Sequence, residues 1–336
     1  MKYKVIIIGA SGTLGTYLVD QLTLDGTYDI CACANRNLNQ SYYKSKGIKS
    51  YKLDITNKAD FKNLPTEGVK AVVQIAGVMP SRMKGYNPSL YLDVNIMGTL
   101  NVLEYCRQNN VEKYIFTQSH SDVAGHWNSG KKIAANAPRS LHLKGDHAVY
   151  IVSKNAAVDL SHHYYQDYGI NNVILRLPTI YSHRPINDMF VDGKEKVMAY
   201  RYLIDLARKG KDLEIWGDPE ITKDIVYVKD FVQMVSKAIS SQKANGFYNV
   251  AYGEGITLRD QILGLAKVFN PAGSPSKIVY RPKQPSQTSY LYDISNAEKD
   301  LDYSPEYDYL SMLKDMKKEM LENRFSHLAG GNNIYS

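Results

Sequence analysis

The stretch from Lys4 to Leu18, KVIIIGASGTLGTYL, constrains this chain more than any other. Val5, Ile6, Ile7 and Ile8 form a short continuous run of β-branched residues, which suits a parallel strand buried on both faces. Gly9, Gly12 and Gly15 follow at once, and Leu14, Leu18, Val19 and Leu22 then recur at helical spacing. A strand that turns through glycines into a helix gathers free backbone N–H groups and the positive helix end at one point. That point suits a pyrophosphate. Gly9 permits the tight turn, Gly12 the close approach of phosphate, and Gly15 the packing of helix on strand. Glycines also suit an ordinary strand-to-helix turn; the N-terminal position and the flanking pattern favour the dinucleotide.

The bulk properties exclude several classes. At 336 residues the chain can hold one large α/β domain and a smaller one. It is 44% hydrophobic and 22% charged, and its net charge of +7 is not gathered into basic runs, so nothing argues for nucleic acid. The apolar run before Gly9 is too short for a signal peptide, and no segment could span a bilayer. Cys31, Cys33 and Cys106 form no C-x-x-C pair and read as buried thiols in a reducing, cytoplasmic setting. No metal is expected: the spacings of His120, His126, His142 and His147 fit no compact ligand pair.

Strands and helices alternate along the first half. Strands are expected at Tyr28–Ala34, Ser50–Leu53, Val69–Ile75, Lys113–Thr117 and Asn172–Leu177, with helices at Leu92–Cys106 and Tyr150–Tyr168. The segment 125–145 reads as an irregular loop of unusual length. This alternation predicts an α/β fold with a doubly wound parallel sheet. Beyond Pro178 the pattern changes: Thr179–Asp192 is loop-like, Lys196–Arg208 helical, and Leu213–Trp216 a strand. Ile225–Val228 with the helix Phe231–Ile239 reads as a return to the main sheet. The expected division is a cofactor domain over 1–180 with a return segment at 224–250, a smaller α+β cap from 181–223 and 251–326, and a tail over 327–336.

The end of the second strand bears on the choice of dinucleotide. Enzymes that use NAD usually place an acid there against the adenosine ribose. This chain has Asn35 followed by Arg36, which favours a 2′-phosphate and hence NADP over NAD, against the alternative of a solvated surface arginine. Asp54 could accept from an adenine amino group or cap the turn entered at Thr56. Ala76 and Gly77 are small enough for a cofactor to lie against the backbone.

Tyr150 and Lys154 form an i, i+4 pair, so phenol and ammonium share one helix face. A neighbouring ammonium and an oxidised nicotinamide both stabilise a phenolate, which makes tyrosine a usable proton acceptor. A hydroxyl from Ser119, at the end of the fifth strand, could share the same substrate oxygen.

Taken in order, these landmarks resemble the extended branch of the short-chain dehydrogenase/reductases, the NAD(P)-dependent nucleotide-sugar epimerase/dehydratase family. Further landmarks are Val94 to Glu104, Arg176-Leu-Pro178, Asp224 to Asp230 and Phe247 to Val250. The resemblance covers nearly the whole chain and implies a Rossmann-type sheet with a C-terminal substrate-binding cap. It implies Tyr150 as base and acid, Lys154 on the nicotinamide ribose, and Ser119 as the partnering hydroxyl. Counting back from Val123-Ala-Gly125 lands on His120, so one residue is inserted and Ser121 competes with Ser119. Cofactor contacts are implied at Gly9, Ser11, Gly12, Thr13, Leu14 and Gly15, and at Asn35, Arg36, Asp54 and Ile55. Ala76, Gly77, Asn95 and Pro178 complete that set. Substrate contacts are implied at Ser81, Thr179, Lys223 and Arg281, beside Ser119 and Tyr150.

The departures touch the substrate. Gln74 stands where the family usually has histidine, Ser182 where it has glycine, and Lys223 where it has arginine. The expected activity is epimerisation of a nucleotide-diphosphate sugar through a keto intermediate. A keto-sugar reductase using NADPH and a dehydratase stay open, although Asp122 is followed by valine where dehydratases carry glutamate. A protein that binds NADP(H) as a sensor or scaffold without turnover is the alternative from another class. A homodimer is a further implication, paired through the helices at Leu92 and Tyr150.

Overall fold

The computed structural model describes residues 2–35, 39–145, 147–183, 188–191 and 194–325. Its main sheet has seven parallel strands: β1 (Lys4–Ile8), β2 (Asp29–Ala34), β3 (Lys49–Lys52), β4 (Val69–Gln74), β5 (Lys113–Ser119), β6 (Asn171–Leu177) and β7 (Gly246–Asn249). Their order is β7-β6-β5-β4-β1-β2-β3. The chain winds outward from β1 to β3 and then returns to β4, so the winding reverses between β1 and β4. Ligands of open α/β sheets bind at the carboxyl ends of such a strand pair.

Both faces of the sheet are covered, which explains the continuous apolar runs. Val5, Ile7, Val73, Ile115 and Val173 face one core, together with Leu18, Val19 and Leu22 of α1 (Thr13–Asp25). Ile6, Ile8, Val72 and Phe116 face the other, against Val102 and Leu103 of α2 (Gly98–Gln108) and Ala157 and Val158 of α3 (His147–Tyr168). Helix α4 (Val228–Ser240) packs with α1 and leads into β7, which fits the expected return to the main sheet.

Several local expectations need correction. Leu92–Met97 is a π-helical turn ahead of α2, not part of one continuous α-helix. The segment 125–145 carries a short strand, Lys132–Ile133, paired in parallel with Leu291–Tyr292. The helix expected over Lys196–Arg208 starts later: Lys196 and Val197 belong to the exposed strand Lys194–Val197, which pairs with Asp188–Val191, and the helix begins at Ala199, where buried Tyr200, Ile204 and Ala207 start the amphipathic spacing. In the C-terminal part, Leu213–Trp216 pairs in parallel with Ile278–Arg281, and Thr222–Asp224 runs antiparallel to Gly255–Thr257. No helix among the described residues is long and apolar enough to cross a membrane.

Candidate functional site

The glycines after β1 make a cradle whose shape follows from what side chains would strike. Gly9 sits at φ 99°, and a Cβ there would lie 2.8 Å from the Ala76 backbone nitrogen, at the end of β4. A Cβ on Gly15 would come within 2.2 Å of the Gly9 carbonyl oxygen and 2.7 Å of the Ala10 Cα. Gly9 thus lets β1 and β4 close together, and Gly15 lets α1 start against its own strand. Gly12 caps α1 with ordinary φ and no side-chain acceptor, and no acid stands in the first turn. The helix N-terminus flanked by Ser11, Thr13 and Leu14 therefore carries its positive end without an acidic side chain to offset it, as a pyrophosphate requires.

At the edge of this cradle the Asn35 amide donates to Asp54 at 3.0 Å, and Asp54 in turn accepts from the Thr56 backbone (2.9 Å) and hydroxyl (2.7 Å). Asp54 thus closes its own turn, which is the capping alternative. Ile55 packs on Gly98, where a Cβ would meet its side chain at 2.6 Å. Arg36, on which much of the NADP argument rests, lies outside the described residues.

The next layer is fixed by Asn95, buried in the π-helical turn. Its side chain accepts from the Val78 N–H (2.8 Å) and donates to the Val78 carbonyl and to the Ser153 hydroxyl, both at 3.0 Å. It thereby ties the strand end at Ala76-Gly77 to α3. A Cβ on Gly77 would stand 3.1 Å from Asn95 Oδ1 and 3.9 Å from Lys154 Nζ, so this backbone runs close beside both side chains. Ser81 follows, partly buried, in the turn Pro80–Arg82.

Tyr150 and Lys154 lie on the buried face of α3, as the spacing predicts. Lys154 Nζ sits 3.8 Å above the Phe116 ring, and burial lowers its pKa to about 7. Burial pushes the Tyr150 phenol up to about 12, while hydrogen bonding with Ser119 pulls it down. Ser119 donates to the Ser121 hydroxyl at 3.2 Å. The structure therefore brings Ser119 to Tyr150, with the Ser121 hydroxyl within hydrogen-bond reach of Ser119. The Gln118 side chain accepts from the Ser119 N–H (2.8 Å) and donates to Asn155 (2.9 Å), which locks the end of β5 onto α3.

On the substrate side, buried Pro178 ends β6 and exposed Thr179 hydrogen-bonds with Tyr290. Lys223 Nζ lies 5.3 Å from the Tyr290 ring centroid, and burial lowers its pKa. Arg281 is exposed and pairs with Glu214 at 2.9 Å across the small parallel sheet. A cavity of about 800 Å³ elsewhere, between α1, α4 and the helix Tyr309–Leu321, holds none of the candidate residues. No cluster of metal-ligating side chains occurs among the described residues.

Two features escaped the sequence reading. Arg176 is 2% exposed and grips fully buried Asp122 through Nε (2.9 Å) and Nη2 (2.9 Å), with Nη1 on Asn249 at 2.9 Å. Asp122 is thereby occupied as the anchor of the turn after Ser119. An arginine inside the apolar run NVILRL signals such a partner, because a buried charge needs one. The second is an aromatic cluster of His120, Trp127, Tyr290 and Tyr292 next to Ser119. It joins two segments far apart in the sequence, 120–127 and 290–292, and left no local pattern.

The chain matches known proteins throughout its length. The model of the NAD dependent epimerase/dehydratase family matches residues 5–251. A UDP-glucuronate 4-epimerase from Thermodesulfobacterium geofontis is 27% identical, over 90% of this chain and 91% of that protein. Among solved structures, the UDP-glucose 4-epimerase of Thermotoga maritima with UDP-glucose superposes with a TM-score of 0.77 at 19% identity, covering 96% of this chain and 99% of that one. The UDP-glucuronic acid 4-epimerase of Bacillus cereus in complex with NAD gives 0.71 at 23% identity, over 94% and 99%.

Proposed function

We propose, for a chain that belongs to the NAD dependent epimerase/dehydratase family, that it is an NAD(P)-dependent epimerase of a nucleotide-diphosphate sugar. The observation that carries this is the convergence of Tyr150, Lys154 and Ser119 beside the glycine cradle, where the winding of the sheet reverses. Gly9 and Gly15 let the strand turn tightly into α1, and Gly12 leaves the helix N-terminus without a side-chain cap, so the residues present fit a dinucleotide. When bound, its nicotinamide supplies a reversible hydride acceptor.

Tyr150 takes the proton of a sugar hydroxyl as the carbon beneath it loses hydride, leaving a ketone. It returns the proton when hydride comes back to the other face. Ser119 holds the reacting oxygen and stabilises the phenolate. Lys154, buried with no carboxylate paired to it among the described residues, favours the ionised phenol beside it and offers donors to the cofactor ribose. Lys223 and Thr179 suit the polar part of the substrate, with residues 181–223 and 251–326 as its cap. Arg281 would have to leave Glu214 to grip a diphosphate.

Of the two dinucleotides, Asn35 in place of an acid, with Arg36 beside it, favours NADP. The three cysteines, all buried and free, suit a reducing cytoplasm. A homodimer is supported by Leu92, Met97 and Val152, which expose 43–48% of their surface on the adjoining π-helical turn and α3.

The test is to purify the protein without added cofactor, denature it and identify the released dinucleotide. The protein is then assayed on UDP-glucose, UDP-glucuronate and UDP-N-acetylglucosamine by separation of the epimers. Retained dinucleotide with interconversion and no net reduction supports the epimerase. An empty protein that consumes NADPH with a keto-sugar makes it a reductase.

A further inference from the structure

His120 opens the turn directly after Ser119, and three aromatic residues fix it there. Its ring lies 4.6 Å from the Trp127 ring centroid and 4.9 Å, edge-on, from that of Tyr290. Its Nδ1 is 2.8 Å from the Tyr292 hydroxyl. Tyr292 is 1% exposed, so its one proton must find an acceptor inside the protein, and His120 Nδ1 is the acceptor the geometry offers among the described residues. Burial pushes the Tyr292 phenol up, which keeps its proton in place, and the buried Trp127 indole N–H, without a full hydrogen-bond partner of its own, acts on the same phenol oxygen in the opposite direction. Tyr292 therefore donates and Nδ1 accepts, which leaves the imidazole proton on Nε2. The side chain is only partly buried, and Nε2 has no protein partner among the described residues.

We propose that His120 presents a fixed Nε2–H donor to an oxygen of the sugar, next to the oxygen on which Tyr150 and Ser119 act. The inference rests on the epimerase reading and adds a substrate-contacting residue to it. Burial, with Lys223, Arg176 and His147 nearby, pushes the His120 pKa down to about 3, so the ring stays neutral through the working range. A neutral donor suits an intermediate that carries a ketone. It binds an oxygen lone pair in alcohol and ketone alike and yields no proton to either, leaving proton transfer to Tyr150. It also selects for an acceptor at that position of the sugar, since a donor facing a methylene is left unpaired.

The experiment is a set of variants in the full chain, each checked for bound dinucleotide and thermal midpoint and then assayed on the three UDP-sugars. His120→Phe keeps a ring against Trp127 and Tyr290 and removes the donor. Its kcat/KM is expected to fall about tenfold, the worth of one good hydrogen bond, with dinucleotide content unchanged. His120→Gln restores an N–H near the Nε2 position and should recover most of that loss, which a merely packing role would not predict. Tyr292→Phe releases Nδ1 and should lower kcat/KM alone, yet cost nothing further in the His120→Phe background.

An active wild type whose kcat/KM survives His120→Phe overturns the proposal and leaves the epimerase standing; so does a His120→Gln variant no better than His120→Phe. A wild type that interconverts none of the three sugars overturns the epimerase reading and the proposal with it. If His120→Phe does not fold, Tyr292→Phe decides: a wild-type kcat/KM at unchanged thermal midpoint overturns the proposal.

Discussion

Lys154 Nζ rests 3.8 Å above the ring of Phe116, on the strand that delivers Ser119, and burial is the influence that sets its pKa near 7. The site therefore holds a cation that its own surroundings resist charging. In the cofactor-free protein the folded pKa is depressed below the ordinary lysine value of 10.5. Between those two values the unfolded chain binds more protons than the folded one, so this group makes stability rise with pH across that window. Lys154→Met should remove that rise. Thermal midpoints of wild type and variant, both freed of dinucleotide and scanned from neutral to alkaline pH, measure it; parallel curves would sink the assignment.

The proposed mechanism asks the same lysine to act on the phenol of Tyr150. Burial holds Tyr150 at about 12, so a role as base would need Lys154 and an oxidised nicotinamide beside it to favour the phenolate. Tyr150→Phe should lose roughly 10²- to 10⁴-fold in kcat while dinucleotide content and fold stay at wild-type levels. Lys154→Met should move the acid limb of the pH–rate profile upward as well as lowering its height. A Tyr150→Phe enzyme as fast as wild type ends the mechanism.

The three cradle glycines should fail in different ways. Gly15→Ala drives a methyl to 2.2 Å from the Gly9 carbonyl, backbone against backbone, so α1 must move. A loss of about 1–3 kcal/mol in stability is expected, together with loss of the dinucleotide. Gly12→Ala meets its nearest atom only at 3.3 Å and has φ −77°, so it should fold normally and lose dinucleotide affinity alone. Denaturant titration paired with fluorescence titration of NADH and NADPH separates the two. Equal destabilisation by both substitutions would contradict the division of labour.

Much of this was legible because it is local. The strand-glycine-helix run, the i, i+4 spacing of Tyr150 and Lys154, and the alternation of strands with helices each lie within a short window, and each reappears in the fold. The features that stayed hidden depend on distant segments meeting. Asp122 reads only as half of an incomplete acid pair until Arg176 arrives from β6, and His120 reads only as a histidine without a ligand partner until Tyr290 and Tyr292 come beside it. Lys196 and Val197 misled for a related reason: their strand is made by the partner segment Asp188–Val191, not by its own composition.

Arg176 and Asp122 should prove structural. Their carboxylate and guanidinium are both almost wholly buried, and Asn249 and the Ala135 carbonyl complete the arginine's bonds. Removing either partner strands the other, so Arg176→Met or Asp122→Asn should cost about 3–5 kcal/mol. The loss should appear as an earlier urea midpoint, and a double variant with an apolar pair should lose less than the sum of the singles. If Asp122→Asn instead keeps full stability and abolishes turnover, Asp122 is an acid of the reaction and dehydration returns as the better account.

The exposed apolar face of the π-helical turn and α3 leads to the last expectation. Met97 and Val152 expose 48% and 46% of their surface on elements that pack side by side, and Leu92 adds 43%. A monomer has little reason to align three such residues beside the helix that carries Tyr150. Met97→Lys with Val152→Glu should convert a dimer into a monomer, read by light scattering on a sizing column. Because α3 also carries Tyr150 and Lys154, activity should fall with dissociation and return as protein concentration rises, provided the weakened dimer still forms. A wild type that elutes as a monomer at every concentration would remove the interface, and the exposed residues would then need another partner.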